Sequence, residues 1–363
     1  MQSYLSVNSA DLLYNARAAV DYVNTPVIAV VKCNGYGVGL ENAVNAWYAA
    51  GVRMFAAAES GEALRIAAMG FNDIDILLLS PCYNADELQA LAENNVIFTV
   101  TSVDCANELV AACDGMDCKL RAHVKMNTGM GRFGKSVSQI DEIKAIYDVS
   151  GIDFCGIFSH FALSFENEYN ATKKQLDRFL QIVGALADSG IDVGMRHIAN
   201  SCAAVLYEQT RLDAVRLGSV LVGRLMRSTP LELKPIGRLC CSVADTVSLN
   251  KGDTSGYAMI YKAKSEQNCA VIEVGYRYGF GMTRKSDTFR FVDVLRDILH
   301  SVKGFRHYDY VVDENGKRHN VVGRIGNQYT LVDNSDLSLH GGDRVYANVN
   351  LLFVDSDIRR VLE

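Results

Sequence analysis

A single lysine closes an apolar run early in the chain: VIAVVK, Val27–Lys32, is rich in β-branched residues and is followed by the glycine-punctuated CNGYGVG. Such a run reads as a buried strand of a parallel sheet that delivers one amine to a turn. An amine there either snorkels to solvent or, desolvated and lowered in pKa, is suited to forming a Schiff base with a carbonyl. Further groups follow the ends of later apolar runs: Arg132 in MNTGMGRFG, His160 in SHFA, His197, Asn200 and Ser201 in HIANS, and Arg216, Gly218 and Ser219 in RLGS. Hydroxyls and glycine-exposed amides at Ser201, Gly218 and Ser219 are the donors that a phosphate needs.

Those groups must be held by regular elements. Apolar runs at 54–58, 75–80, 97–102, 119–126, 152–161, 193–200 and 213–217 join the lysine run as strands, with amphipathic segments at 43–50, 60–69, 85–94, 103–113, 137–149 and 171–189 between most of them. Alternation sustained over about 220 residues predicts an α/β chain with an N-terminal (β/α)8 TIM-like barrel, whose strand C-termini share one mouth. Beyond this the texture changes: STPLELKPIG holds two of the four prolines, and short alternating runs follow, with one helical pattern at Asp293–Leu299. The division expected is a barrel domain over 1–228 and a mainly β C-terminal domain over 229–363, with residues 1–7 a strand that joins the β domain.

Bulk properties narrow the partners. A net charge of -6 from 36 basic and 42 acidic residues, with no run of like charge, argues against nucleic acid or a membrane surface and for a small-molecule substrate. Ten scattered cysteines without a CxxC pair fit reduced thiols and no metal site. With no exported N-terminus and no long apolar run, the chain is expected in the cytoplasm.

The lysine stretch resembles the pyridoxal phosphate (PLP) signature of the alanine racemase family, which runs close to AVVKANAYGHG. HVKMNTGMGRFG, SHFA, HIANSCAAV, VRLGSVLVG, GDTSGYAMIY, VGYRYG and GRIGNQYTLVD are similar to later family segments and come in the same order. The resemblance implies a PLP-dependent racemase acting on a small amino acid. Lys32 would carry PLP covalently and act as one base. Tyr36, Ser201, Gly218, Ser219 and Tyr276 would bind the phosphate, with Asn200 beside them. Arg216 would face the ring nitrogen with His197 behind it, and His160 would lie near the cofactor or the second base. That second base would be Tyr257 of the partner subunit, which implies a homodimer with shared active sites. Arg132 would hold the substrate carboxylate, helped by the backbone around Asn327, and Lys125 matches a lysine that relatives can carry as a carbamate.

The chain departs from the family at Gly326, Asn327 and Gln328, at Arg277 and Tyr278, and at Asn127. These changes predict a more polar substrate pocket, so serine or another polar amino acid stands beside alanine as substrate. A divergent PLP-binding homologue, or another PLP enzyme of the same fold type such as an amino-acid decarboxylase, is the alternative.

Overall fold

A short strand, β1 (Tyr4–Val7), opens the chain and is followed directly by the helix Ser9–Val23. Eight strands come next: β2 (Val27–Val30), β3 (Met54–Ala57), β4 (Asp75–Leu78), β5 (Phe98–Val100), β6 (Leu120–Lys125), β7 (Ile152–Phe158), β8 (Met195–His197) and β9 (Val215–Leu217). β2 to β4 and β5 to β8 pair in parallel with their neighbours in the series, and β9 returns to β2, with Val27 opposite Val215. Single parallel bridges, Leu77 to Ile97 and His197 to Ala214, join β4 to β5 and β8 to β9, so the ring is closed. The computed structural model describes residues 3–165, 169–283, 291–304 and 309–363.

Side-chain alternation sorts the barrel interior into two halves. Ile28 and Val30 of β2, Met54 and Ala56 of β3, Leu77 and Ile97 form a buried apolar cluster. On β6 the alternate residues Arg121, His123 and Lys125 share the other face from Ala122 and Val124 and give the opposite half a polar lining. The helices between strands begin on local caps: Asn84 accepts from Glu87 N, Ser102 from Cys105 N and Asn200 from Ala203 N, at 3.0–3.1 Å.

The strands are shorter than the apolar runs that announced them. β2 stops at Val30 and β7 at Phe158, because the residues beyond turn into the mouth. The 137–149 segment begins as a 3-10 turn, Val137–Gln139, before the helix Ile140–Tyr147.

The chain divides into two compact units, one of Ser9–Ile236 and one of the residues up to Asn8 with Gly237–Glu363. The boundary lies at 236/237 and not at 228/229, since Lys234 belongs with the first barrel helix. Its backbone N–H donates to Asn15 Oδ1 and its carbonyl accepts from Asn15 Nδ2, both at 2.8 Å.

The second unit is built on β10 (Gly237–Leu249), followed by β11 (Thr254–Ser255), β12 (Tyr261–Lys262), β13 (Gln267–Ile272), β14 (Tyr310–Asp313), β15 (Arg318–Asn320), β16 (Thr330–Asp333), β17 (Arg344–Ala347) and β18 (Arg360–Leu362). β10 pairs antiparallel with β1, β13 and β17, and β1 also pairs in parallel with β18. Leu239, Cys241, Val243, Ala270, Ile272, Val311, Val332 and Val345 fill its core. The helical pattern expected at Asp293–Leu299 is a longer helix, Phe291–Gly304.

Candidate active site

Lys32 stands two residues past the end of buried β2 and is exposed, the first of the two placements that the sequence left open. The backbone beyond it is unusual. Cys33, Asn34, Gly35 and Tyr36 all have positive φ, at 54°, 53°, 63° and 54°, so the chain makes a left-handed turn. Left-handed backbone costs a non-glycine residue roughly 1–2 kcal/mol, and the surroundings must therefore hold it. They do: Gly37 N donates to Cys33 O at 3.0 Å, Gly39 N to Asn34 O at 3.0 Å, and Leu40 N to Asn34 Oδ1 at 2.9 Å. The turn directs the Tyr36 ring toward Gly218, where a methyl group would lie 2.3 Å from Tyr36 Oη. Burial pushes the Tyr36 phenol up, so it is a neutral donor.

Arg216, on the middle of β9, is buried and bracketed by the ends of β7 and β8. Nη1 lies 2.7 Å from His197 Nδ1 and donates to His197 O at 3.2 Å. Nη2 donates to Ser159 O at 2.5 Å and Ile198 O at 3.1 Å, and lies 3.2 Å from His160 Nδ1. These contacts use Nη1 and Nη2, and none involves the Nε–H. Burial pulls the guanidinium down to about 9, which still leaves it protonated at neutral pH.

The Phe158 ring, 1% exposed, organises this half of the mouth. It stacks on His197 at 5.0 Å between centroids, and both Lys125 Nζ (4.7 Å) and the Arg216 guanidinium (5.2 Å) stand against its face. Lys125 is buried, and its Nζ donates to Leu79 O at 3.2 Å. Desolvation, with Arg216 and Arg132 nearby, pulls its amine down to about 7. His160 is pulled down to about 3 by desolvation and then by Arg216, Arg132, Lys125 and Lys32, so all the charges acting on it are cations. A mouth of that charge suits phosphate and carboxylate groups.

Arg132 is exposed on a glycine loop folded back on β6, with Met126 bridged to Lys135. Gly134, at φ 86°, packs so closely that a methyl group there would meet Lys125 O at 2.0 Å. Asn127 Oδ1 accepts from Gly129 N and Gly131 N at 3.1 and 3.0 Å, so this departure from the family shapes the loop. Gln175 and Arg178 of the helix Tyr169–Ala187 brace the loop through Thr128 and the His160 carbonyl.

Just past β9, the Gly218 amide donates to Ser201 Oγ at 3.1 Å. It is therefore engaged and not open to a ligand, and Ser201 Oγ, acting as acceptor here, keeps its own O–H for another partner. Ser219 opens the 3-10 turn Ser219–Val222, whose first N–H groups have no partner within the turn. Asn200 uses its side-chain oxygen as the helix cap and as acceptor for Ser164 Oγ at 2.8 Å, which makes its part structural in this geometry.

The remaining site residues lie in the β unit. Tyr257 is 75% exposed on a strained turn with Ala258 and Met259 at φ 60° and 49°. Tyr276 is also exposed, and its loop is tied to that of Asn327: Tyr276 N donates to Gly326 O at 3.0 Å and Arg277 N to Asn327 O at 3.1 Å. Tyr278 is no pocket residue. It is 2% exposed and its hydroxyl reaches Glu273 Oε1 at 3.2 Å, inside the core of its own unit. Sequence reasoning missed His123, Phe158 and Ser159. The spacing of His123 two residues before Lys125 carried the signal, since alternate strand residues share a face.

The family model described as "Alanine racemase, N-terminal domain" matches residues 7–225. An alanine racemase from Desulforamulus reducens is 31% identical over 316 residues, 85% of this chain and 79% of the relative. An alanine racemase from Bartonella henselae with covalently bound pyridoxal phosphate matches at TM-score 0.81 and 22% identity, covering 100% of each chain. A histidine racemase from Leuconostoc mesenteroides subsp. sake matches at TM-score 0.83 and 19% identity, covering 100% of this chain and 98% of its own. The chain belongs to the alanine racemase family.

Proposed function

We propose that this protein racemises a small amino acid, alanine first, with PLP held in the barrel mouth and two bases acting on opposite faces of Cα. The observation that carries the reading is Arg216: a buried guanidinium held through both Nη atoms by His197, Ser159 and Ile198, with its Nε–H outside those contacts, would face the ring nitrogen of the cofactor. The residues present fit the group. Beyond Arg216, the mouth is cationic and the absent side chain of Gly218 leaves the space that the Tyr36 phenol occupies.

Bound PLP supplies the electron sink that acidifies Cα–H of an attached amino acid. Lys32 carries the cofactor and moves a proton at Cα on one side. Tyr36, Ser201 and the Ser219 amide hold the phosphate, with Gly218 shaping the cradle and Tyr276 assigned to it by the family resemblance. Arg216 donates to the ring nitrogen yet does not readily give up its proton, which restrains the sink and favours return of the proton to Cα. A carboxylate in its place would suit decarboxylation better. Arg132 holds the substrate carboxylate, with the Asn327 backbone of the partner subunit assisting.

Tyr257 of the partner subunit is the second base in this reading, within a homodimer. Its support is the exposure of Tyr257 together with Met259 (70%) and Ile260 (55%), a surface that a second subunit would cover. His160, neutral and accepting from Arg216 at Nδ1, has its proton on Nε2 and can donate it to the phenolate oxygen. Lys125 is proposed to carry a carbamate that orients Arg132.

The test incubates PLP-loaded protein with single L-amino acids in deuterium oxide and follows the α-proton and the chirality. Exchange accompanied by racemisation is the expected outcome. Release of carbon dioxide would point to the decarboxylase alternative, and inertness toward all amino acids to the divergent PLP-binding one.

A further inference from the structure

Behind Arg216 the barrel interior holds a second histidine that the proposed reaction does not yet use. His123 of β6 is 2% exposed, and its Nδ1 lies 2.8 Å from His197 Nε2. β6 and β8 are not neighbours. β7 runs between them, with Gly156 opposite His123 on one side and Met195 on the other. The imidazoles meet across β7 because position 156 has no side chain: a methyl group there would lie 2.5 Å from His123 Nε2. A register shift between Ala122 and His123 brings Gly156 into that place.

The direction of each hydrogen bond follows from Arg216. A guanidinium has donors only, so His197 Nδ1 must accept from Nη1 at 2.7 Å. A neutral His197 then has its proton on Nε2 and gives it to His123 Nδ1, and the proton of His123 sits on its own Nε2. Burial holds both rings neutral: desolvation, with Arg121 and Arg216 adding to it, pulls His123 down to about 4, and desolvation likewise depresses His197. Without an acceptor there, the Nε2–H of this buried ring would be left unsatisfied, a cost that works against the tautomer Arg216 requires and favours the other one. Its Nδ1–H would then face the Arg216 donor, and the anchor at Nη1 would be lost.

We infer that His123 is a positioning residue: by accepting from His197 it fixes the tautomer that anchors Arg216 with its Nε–H toward the ring nitrogen. The catalytic consequence rests on the function proposed above, whereas the tautomer itself does not.

The experiment uses PLP-loaded enzyme with 15N-labelled histidine and two-bond 1H–15N spectra, which separate protonated from bare ring nitrogens. The expected wild-type result is a neutral His197 protonated at Nε2 alone. His123→Leu should lose that single tautomer and lower kcat about tenfold or more, with KM for the amino acid changed by less than about twofold. His123→Asn, whose Oδ1 falls near the place of Nδ1, should restore both the tautomer and most of kcat. Gly156→Ala displaces the imidazole without altering its chemistry and should reproduce the leucine variant. It carries the test if that variant does not fold. A His197 that retains the Nε2–H tautomer in Gly156→Ala or His123→Leu overturns the inference, as does a lost tautomer with undiminished kcat. If wild type shows the tautomer and its loss on substitution but racemises nothing, the proposed function fails and the lock between the histidines stands.

Discussion

The buried amine of Lys125 gives the most quantitative expectation. With its pKa pulled to about 7, roughly nine-tenths of the Lys125 amines are neutral at pH 8, against about 0.4% for an ordinary lysine near 10.4. Only the neutral amine adds carbon dioxide, so Lys125 is enriched roughly 200-fold in the reactive form over a surface lysine at the same pH. The product also relieves its surroundings. Arg216 and Arg132, which depress the amine as like charges, become attractive partners of the carbamate anion, and Arg132 gains a fixed orientation. Enzyme exchanged into 13C-bicarbonate at pH 8 should show one carbamate resonance that is absent from Lys125→Met. That variant should raise KM for the amino acid about tenfold, the scale of one charge-assisted hydrogen bond of about 1.5 kcal/mol, and alter kcat less. Occupancy should fall as pH drops below about 7, because the protonated amine is unreactive. An active enzyme with no label at Lys125 between pH 6 and 9, or a Lys125→Met variant with wild-type KM, would refute the reasoning.

Other residues give sharper yes-or-no tests. Tyr257→Phe should lower racemisation in both directions by roughly 10²–10⁴-fold while leaving the absorbance of bound PLP intact, and unchanged rates would remove Tyr257 from the mechanism. In Gly218→Ala the new methyl group would collide with Tyr36 Oη, so the apparent Kd for PLP in an absorbance titration should rise at least about tenfold. An unaltered Kd would mean that Tyr36 does not serve the phosphate. With Asn327 and Gln328 exposed on the β unit, kcat/KM for L-serine should come within about tenfold of that for L-alanine. An alanine preference above about a hundredfold would leave alanine alone as the substrate.

The barrel was legible because strands such as β2 (VIAV) and β3 (MFAA) are short, uninterrupted apolar runs, the mark of a parallel strand covered on both faces. Its ends were not: the runs read from the sequence extend to Lys32 and Phe161, whereas β2 has stopped at Val30 and β7 at Phe158. Gly35 announced one left-handed residue, but nothing local announces that Cys33, Asn34 and Tyr36 share its conformation; bonds from Gly37, Gly39 and Leu40 impose it. The domain boundary was placed at the prolines, whereas Asn15, more than two hundred positions earlier, decides where the barrel ends. Tyr278 shows the limit of reading a pocket from altered motifs: its hydroxyl turns inward to Glu273, which also accepts from Ser3 N at 3.0 Å. His123 was overlooked because its partner lies 74 residues away and depends on a missing side chain between them.

The bracket around Arg216 has a consequence for how this enzyme could change over evolutionary time. The β8–β9 junction of the ring is paired by one bridge, and the Arg216 guanidinium also ties β9 to the His197 and Ile198 carbonyls across that junction and to Ser159 beyond it. A carboxylate at position 216, the simplest route to a stronger electron sink, would set an acceptor against three carbonyl oxygens and unfasten the ring at one of its two single-bridge joins. A new reaction would therefore have to be reached together with a new way of closing the barrel, so drift from racemisation toward decarboxylation requires several coordinated substitutions and not one.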